Sequence, residues 1–420
     1  MRLLRTERRR KLRALALVVF SALTVRLLLD TETFPTHAVA ARTVRSLQVV
    51  AGALIASIDI LTRRRCVSCC DEVVSLLRQR DVEEKNVACF ILRTALPKRK
   101  SRHADNASSD VVYTLVSRGY RPLNYGYLRG AREFLNAVAI ERLRASPAAR
   151  PTRLKLVWVL EDDASLPREV VHELAARGVS VLAHSVPNSR KNDGYVFAPN
   201  FHFIKRRGFR ALIRDKRENI TPFAERESVV FWRGSTTGSE RCPSDLHCAL
   251  ERDDCERLPR VRAVRAAMSD VPWLDFAVTR KVQACAAVGD SANARIARAL
   301  RQDSHAPERE WAARRGVLEI YGNVDAWGNR WRMESGSVVF LVKSQYTHYY
   351  SDALEDGVHY VGISADLSDL VERTRVVADD DPNVVERLAQ IAANASALMQ
   401  LYTYERAVRD IATRLPLVEL

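Results

Sequence analysis

From Lys155 onward the chain alternates between unbroken apolar runs and amphipathic stretches. Leu156-Val157-Trp158-Val159-Leu160 has no polar interruption, the pattern of a strand buried on both faces. Pro167 then opens a helix whose Val170, Val171, Leu174 and Ala175 share one stripe, and Gly178 supplies a left-handed end cap. Val179–Ala183 reads as the next strand. A strand, a helix and a strand in this order predict a parallel, Rossmann-like sheet.

A second series begins at Val229. The expected strands are Val229–Trp232, Leu318–Tyr321, Val338–Val342 and Val358–Ile363. The expected helices are Leu258–Met268, Leu367–Ala378, Pro382–Leu401 and Tyr404–Arg414. Asp366 is placed to cap the second of these, and Asp381 with Pro382 to start the third. The pattern predicts two α/β domains with a cleft between them, divided near Pro222.

The 420 residues are 47% hydrophobic and 28% charged, an ordinary globular balance. The net charge of +15 raises the question of nucleic acid. The basic residues are spread along the chain with no zinc-finger, RNP or basic-zipper pattern, so a solvated basic surface is the expectation and no nucleic-acid partner is assigned. Arg2, Arg5, Arg8, Arg9, Arg10, Lys11 and Arg13 precede the apolar run Ala14–Val25, which reaches Leu29 if Arg26 snorkels. A spanning helix needs about 20 apolar residues. The expectation is a signal anchor over 1–30 with the basic end in the cytosol, a cleaved signal peptide being the alternative. A stem over 31–110 follows, then domains over 111–222 and 223–420.

The eight cysteines, Cys66, Cys69, Cys70, Cys89, Cys242, Cys248, Cys255 and Cys285, are expected in disulfides rather than around zinc. The Cys66–Cys70 cluster lacks a second Cys-x-x-Cys, and Cys242, His247, Cys248 and Cys255 fit no zinc spacing. The sequons at Asn106 and Asn394 are compatible with a secretory location. Asp379-Asp380-Asp381 has an Asp-x-Asp spacing, but its place before Pro382 assigns it to a helix start, so no metal is expected.

The strongest chemical signal is Phe231-Trp232-Arg233-Gly234-Ser235-Thr236-Thr237-Gly238. It reads as a buried strand opening into a loop of small and hydroxylated residues. Backbone N–H groups, hydroxyls and an arginine together suit a phosphate-bearing ligand. The spacing is not that of a P-loop.

Downstream, Asn323-Val324-Asp325-Ala326-Trp327-Gly328-Asn329-Arg330-Trp331, then Ser335-Gly336-Ser337-Val338-Val339, then His359-Tyr360-Val361 and Asp366-Leu367-Ser368-Asp369-Leu370 follow in a distinctive order. With the octapeptide, this resembles the CAP10 glycosyltransferases (glycosyltransferase family 90), which include Rumi-type protein O-glucosyltransferases and capsule xylosyltransferases. The resemblance covers about 155–415. It implies a GT-B-like fold and a UDP-sugar donor held by the second domain. Arg233 and Arg330 match the family's diphosphate-facing arginines. Gly234, Ser235, Thr236, Thr237, Trp327, Ser335, Gly336 and Ser337 are the further donor-contact candidates. The family's strand-Asp-x-Pro element aligns with Glu161-Asp162-Asp163, which makes Asp162 the expected general base and Asp163 the alternative. Val324 and Ala326 stand where the family commonly has glycines, and His202 replaces a family serine.

The expected function is therefore inverting, metal-independent transfer of glucose or xylose from a UDP-sugar to a hydroxyl of a protein or glycan, in the lumen of the endoplasmic reticulum or Golgi, with no cofactor. Two rival classes stand beside it. One is a catalytically degraded relative that binds a glycan or a partner, and the other is a basic membrane-surface or nucleic-acid-binding protein.

Overall fold

The computed structural model describes residues 73, 75–77, 87–94, 109–115, 125–145, 153–160, 166–218, 221–238, 254–324 and 326–415. All of these fall in one unit, Glu72–Leu420. The expected anchor over 1–30 lies outside the described residues. Among the described residues no helix is long and apolar enough to cross a membrane.

The first lobe contains β1 (Val87–Thr94), β2 (Ser109–Leu115), α1 (Tyr125–Ala145), β3 (Arg153–Val159), α2 (Arg168–Ala176), β4 (Val179–Ala183), β5 (Ser185–Pro187), β6 (Tyr195–Phe197), α3 (Phe201–Lys205) and α4 (Arg210–Glu218). Its five-stranded sheet has the order β2-β1-β3-β4-β6. Strands β3, β4 and β6 run parallel, as the β-α-β pattern predicts. Leu156–Val159 are wholly buried, as the unbroken run requires, and Gly178 takes φ +69° after α2. The expected stem needs correction. Strand β1 comes from that segment, pairs antiparallel with both β2 and β3, and has Val87–Phe90 fully buried. Its apolar run is short and lies between basic, polar stretches, so only the long-range pairing to β3 gives it a partner face.

The second lobe comprises β7 (Glu227–Ser235), α5 (Pro259–Ala267), β8 (Leu274–Arg280), α6 (Ala292–Ala299), α7 (Glu308–Ala312), β9 (Arg314–Glu319), α8 (Asn329–Met333), β10 (Val338–Val342), β11 (Tyr346–His348), β12 (Val361–Ile363), α9 (Leu370–Thr374), α10 (Pro382–Leu401) and α11 (Tyr404–Arg414). Its sheet is parallel throughout, in the order β12-β10-β9-β7-β8. Asp381 caps α10 by accepting from the Asn383 N–H at 2.8 Å, and Asp380 pairs with Arg315 at 2.7 Å. The acidic triplet thus serves a helix start and an ion pair.

Several contacts join the lobes, two of them between whole elements. Strand β5 of the first pairs antiparallel with β11 of the second, and the Asn188 N–H extends this ladder to the Gln345 carbonyl at 2.7 Å. Helix α11 leaves the second lobe and packs on α1, where Arg142 donates to the Ala412 and Leu415 carbonyls at 2.9 and 2.6 Å. The final helix therefore belongs structurally to the first lobe rather than closing a contiguous 223–420 domain.

Cys255 and Cys285 form a disulfide, and Cys89 is disulfide-bonded too. Cys66, Cys69, Cys70, Cys242 and Cys248 lie outside the described residues. The Asn394 sequon falls inside α10, and its amide nitrogen, the atom a glycan would occupy, donates to the Val358 carbonyl at 3.1 Å. That placement removes Asn394 as a sign of glycosylation. Asn106 lies outside the described residues.

Candidate functional site

In the second sheet, β8 and β9 flank β7 on opposite sides, so the chain reverses its direction of travel across the sheet at β7. Open parallel sheets bind ligands beyond the carboxyl ends of their strands near such a reversal. Arg260, from the first turn of α5, holds the β7 and β9 ends together there. It donates to the Ser235, Ile320 and Tyr321 carbonyls at 3.1–3.2 Å and to the Thr237 hydroxyl.

Beyond the ends of β9 and β10 lies a cavity of about 390 Å³. Its lining includes Glu319, Tyr321, Asn329 and Lys343 from around β9, α8 and β10, and Tyr346–His348 of β11. Asn188 and Lys191 of the first lobe close it, so both lobes contribute to one enclosure. Glu319, the last residue of β9, is 1% exposed and pairs with Arg332 of α8.

On the other side of α8 lies a smaller cavity of about 170 Å³, lined by His202, Arg206, Arg233, His305, Trp327 and Arg332 among others. Arg233 reaches it because strand alternation puts residues 231 and 233 on one face. Its guanidinium sits 4.3 Å over the Phe231 ring. The same group donates from Nη2 to Asp275 Oδ1 at 2.9 Å and from Nε to Asp303 Oδ2 at 3.0 Å, with Nη2 also ion-paired to that oxygen at 2.9 Å. Asp275 is shared with Arg301 at 2.8 Å. The Ser304 N–H first, and then the Arg233 and Arg301 guanidinium groups, hold the Asp303 carboxyl below the usual carboxylate range. Arg332 stacks over Trp311 and Trp331, at 4.7 and 5.1 Å from their ring centres.

The remaining sequence candidates fall in different places. Arg330 is 3% exposed and faces neither cavity. It pairs with Glu334 and donates to the Tyr402 and Met399 carbonyls at the end of α10, at 3.2 and 2.8 Å. Arg233 and Arg330 are therefore not brought together, and the arginines that share a cavity with Arg233 are Arg206 and Arg332. Ser335-Gly336-Ser337 precedes β10, at the opposite end of the sheet from the enclosure. There Gly336 takes φ +75°, Ser337 donates to the Arg314 carbonyl at 2.7 Å, and Arg226 donates to Ser337 at 3.2 Å. This turn ties the strand starts together. Thr236 exchanges hydrogen bonds with the Val282 backbone at 2.8 and 2.9 Å, while Ser235 and Thr237 share one at 3.3 Å. Gly234 is required by contact, since a Cβ there would stand 2.5 Å from the Trp232 ring.

Trp327 packs between the lobes, 4.0 Å from His202 and 5.2 Å from Tyr127 by ring centres. Asp162 and Asp163 lie outside the described residues. Val159 ends β3, with Leu160 following it, at the same edge from which β4 leads into the inter-lobe ladder.

Sequence reasoning missed Asn329, Arg332, Arg260, Glu319 and Asp303. Two of these had a local signal, since Asn329 and Arg332 flank Arg330 within the motif already singled out. The others lie in elements whose facing is set by the sheet order.

Residues 204–410 match glycosyl transferase family 90. The chain is also similar to "Uncharacterized protein 179R" of Invertebrate iridescent virus 6, at 24% identity over 217 residues. That match takes in 45% of this chain and 16% of the viral protein, so the chain spans a small part of that relative's length.

Proposed function

This chain is a member of glycosyl transferase family 90, and on that premise we propose that it moves glucose or xylose from a UDP-sugar to a hydroxyl of a protein or glycan, with inversion and without a metal. The observation that carries this reading is the enclosure beyond the carboxyl ends of β9 and β10, closed by residues of the first lobe. A nucleotide held there by the second lobe faces the edge at which β3 ends.

In the proposed reaction Asp162, or Asp163 beside it, takes the proton of the acceptor hydroxyl as its oxygen attacks the anomeric carbon. The bond from that carbon to the diphosphate oxygen breaks on the opposite side. Its electron pair leaves on UDP, where fixed cations stabilise the developing charge. Lys191 and Lys343 are the cations that line the enclosure itself, and Arg206, Arg233 and Arg332 line the smaller cavity beside it. For Arg233 the diphosphate must displace Asp303, whose side chain is 43% exposed, whereas Asp275 stays behind as the inner partner. The disulfide between Cys255 and Cys285 supports an oxidising, lumenal compartment. The basic N-terminus with its apolar run supplies the anchor in this reading.

A donor screen that scores UDP release tests the proposal. Turnover should appear with UDP-glucose or UDP-xylose, persist in EDTA, and fall at least a hundredfold in Asp162→Asn with UDP affinity retained. No release with any UDP-sugar would reject it. The carboxylates on Arg233 favour one other reading, a glycan- or partner-binding relative without turnover; calorimetry showing glycan binding but no heat with UDP would select it.

A further inference from the structure

We propose that Asn329 reads the pyrimidine edge of the donor nucleotide, an inference that rests on the UDP-sugar reading and deepens it. Asn329 begins α8 and lines the inter-lobe enclosure. It is 5% exposed, and its Oδ1 accepts no hydrogen bond from any described residue. Its backbone N–H is occupied, donating to the Ala326 carbonyl at 2.9 Å. Buried polar atoms are almost always paired, and Asn329 Oδ1 is a buried, unpaired one on a residue that lines the cavity.

The chemistry of the surroundings selects the ligand. A carboxamide does not titrate, so Asn329 is no acid or base. Tyr321, Tyr360, Leu341, Leu354 and Ala326 supply aromatic and apolar surface to a lining that also contains this amide. A uracil ring brings faces for the tyrosines and one imide edge, whose N3–H donates to Oδ1 while Nδ2 donates to the adjacent ring carbonyl. Glu319, a lining residue at the end of β9, is engaged by Arg332. A neutral amide rather than a carboxylate thus faces the base. The volume of about 390 Å³ lies in the usual range for small-molecule sites.

The test is calorimetry of the whole chain with UDP and with N3-methyl-UDP, whose ring lacks the donor hydrogen. The wild type should bind N3-methyl-UDP at least tenfold more weakly than UDP. Asn329→Leu should bind both ligands alike and at least tenfold more weakly than the wild type binds UDP. Its ligand-free melting temperature should not fall, because an unpaired buried amide is exchanged for an apolar side chain. Equal wild-type affinity for the two ligands overturns the role of Asn329 and leaves the donor reading standing. No wild-type affinity for either ligand overturns the donor reading, and this inference with it. If Asn329→Leu does not fold, Asn329 is a structural residue only when the wild type also ignores the N3-methyl group; otherwise the wild-type comparison upholds the inference.

Discussion

Replacing Arg330 separates the role its motif implies from the role its surroundings support. Arg330 and Glu334 lie one turn apart on α8, each side chain 4% exposed, and Arg330 also fastens α8 to the end of α10 through two carbonyls. Arg330→Ala leaves the Glu334 carboxylate buried without its cation and frees those carbonyls. Breaking such a pair costs about 3–5 kcal/mol. With an unfolding entropy of about 2.1 cal/mol/K per residue over the roughly 350 residues from Glu72 to Leu420, about 4 kcal/mol lowers Tm by about 5 °C. Arg330→Met with Glu334→Leu replaces both charges by apolar groups and should recover most of that loss. Differential scanning calorimetry gives the stabilities, and titration of the folded variants gives the UDP affinity. A structural Arg330 predicts that the double variant melts near the wild type and binds UDP within a factor of two or so. If it folds well but loses UDP binding more than tenfold, Arg330 reaches the diphosphate and the structural argument fails.

Three further outcomes are expected. Asp303→Asn removes the carboxylate that competes for Arg233, so UDP should bind severalfold more tightly at neutral pH. Because the folded pKa of Asp303 is depressed, its stabilising contribution is present above the ordinary carboxylate pKa and fades as pH falls through the folded value. The variant should accordingly show a shallower loss of stability in acid, and an unchanged acid limb would remove the pairing from the account. Cys285→Ser opens a loop of 30 residues, worth about 3.6 kcal/mol of chain entropy in the unfolded state, and should lower the urea midpoint while steepening the slope, because the unfolded chain without the cross-link is less compact. Burial first, and the hydrogen bond donated to Asp410 at 2.6 Å, raise the Tyr349 phenol above its ordinary pKa of 10.0. Its contribution is complete below that value and is lost as pH rises past it, so Tyr349→Phe should alter the stability profile only above about pH 10 and leave it unchanged at lower pH.

The elements legible in the sequence are those whose signals are local. Val338–Val342, Pro382–Leu401 and Tyr404–Arg414 have the boundaries their patterns predict, because an apolar run or a cap residue suffices to set each one. Strands β5 and β11 have three residues each, and neither has a reason to exist without the other lobe. Strand β1 was hidden in the same way, its apolar run being explained only by β3. At the site, Trp232 and Gly234 are legible as a close-packed strand end. The choice between Arg330 and Arg332 is not. They sit two residues apart on one short helix and so face different sides. Only the positions of α10, Glu319 and the tryptophans decide that Arg330 is enclosed and Arg332 lines a cavity. Glycine loss at Val324 and Ala326 is legible, and both side chains are buried, at 1% and 7% exposure.

A crystal structure of the chain with UDP tests the central claim most directly. The account predicts the nucleotide between the ends of β9 and β10 and the first-lobe residues Asn188 and Lys191, with uracil against Asn329. UDP bound on any other face of a catalytically active protein would contradict it.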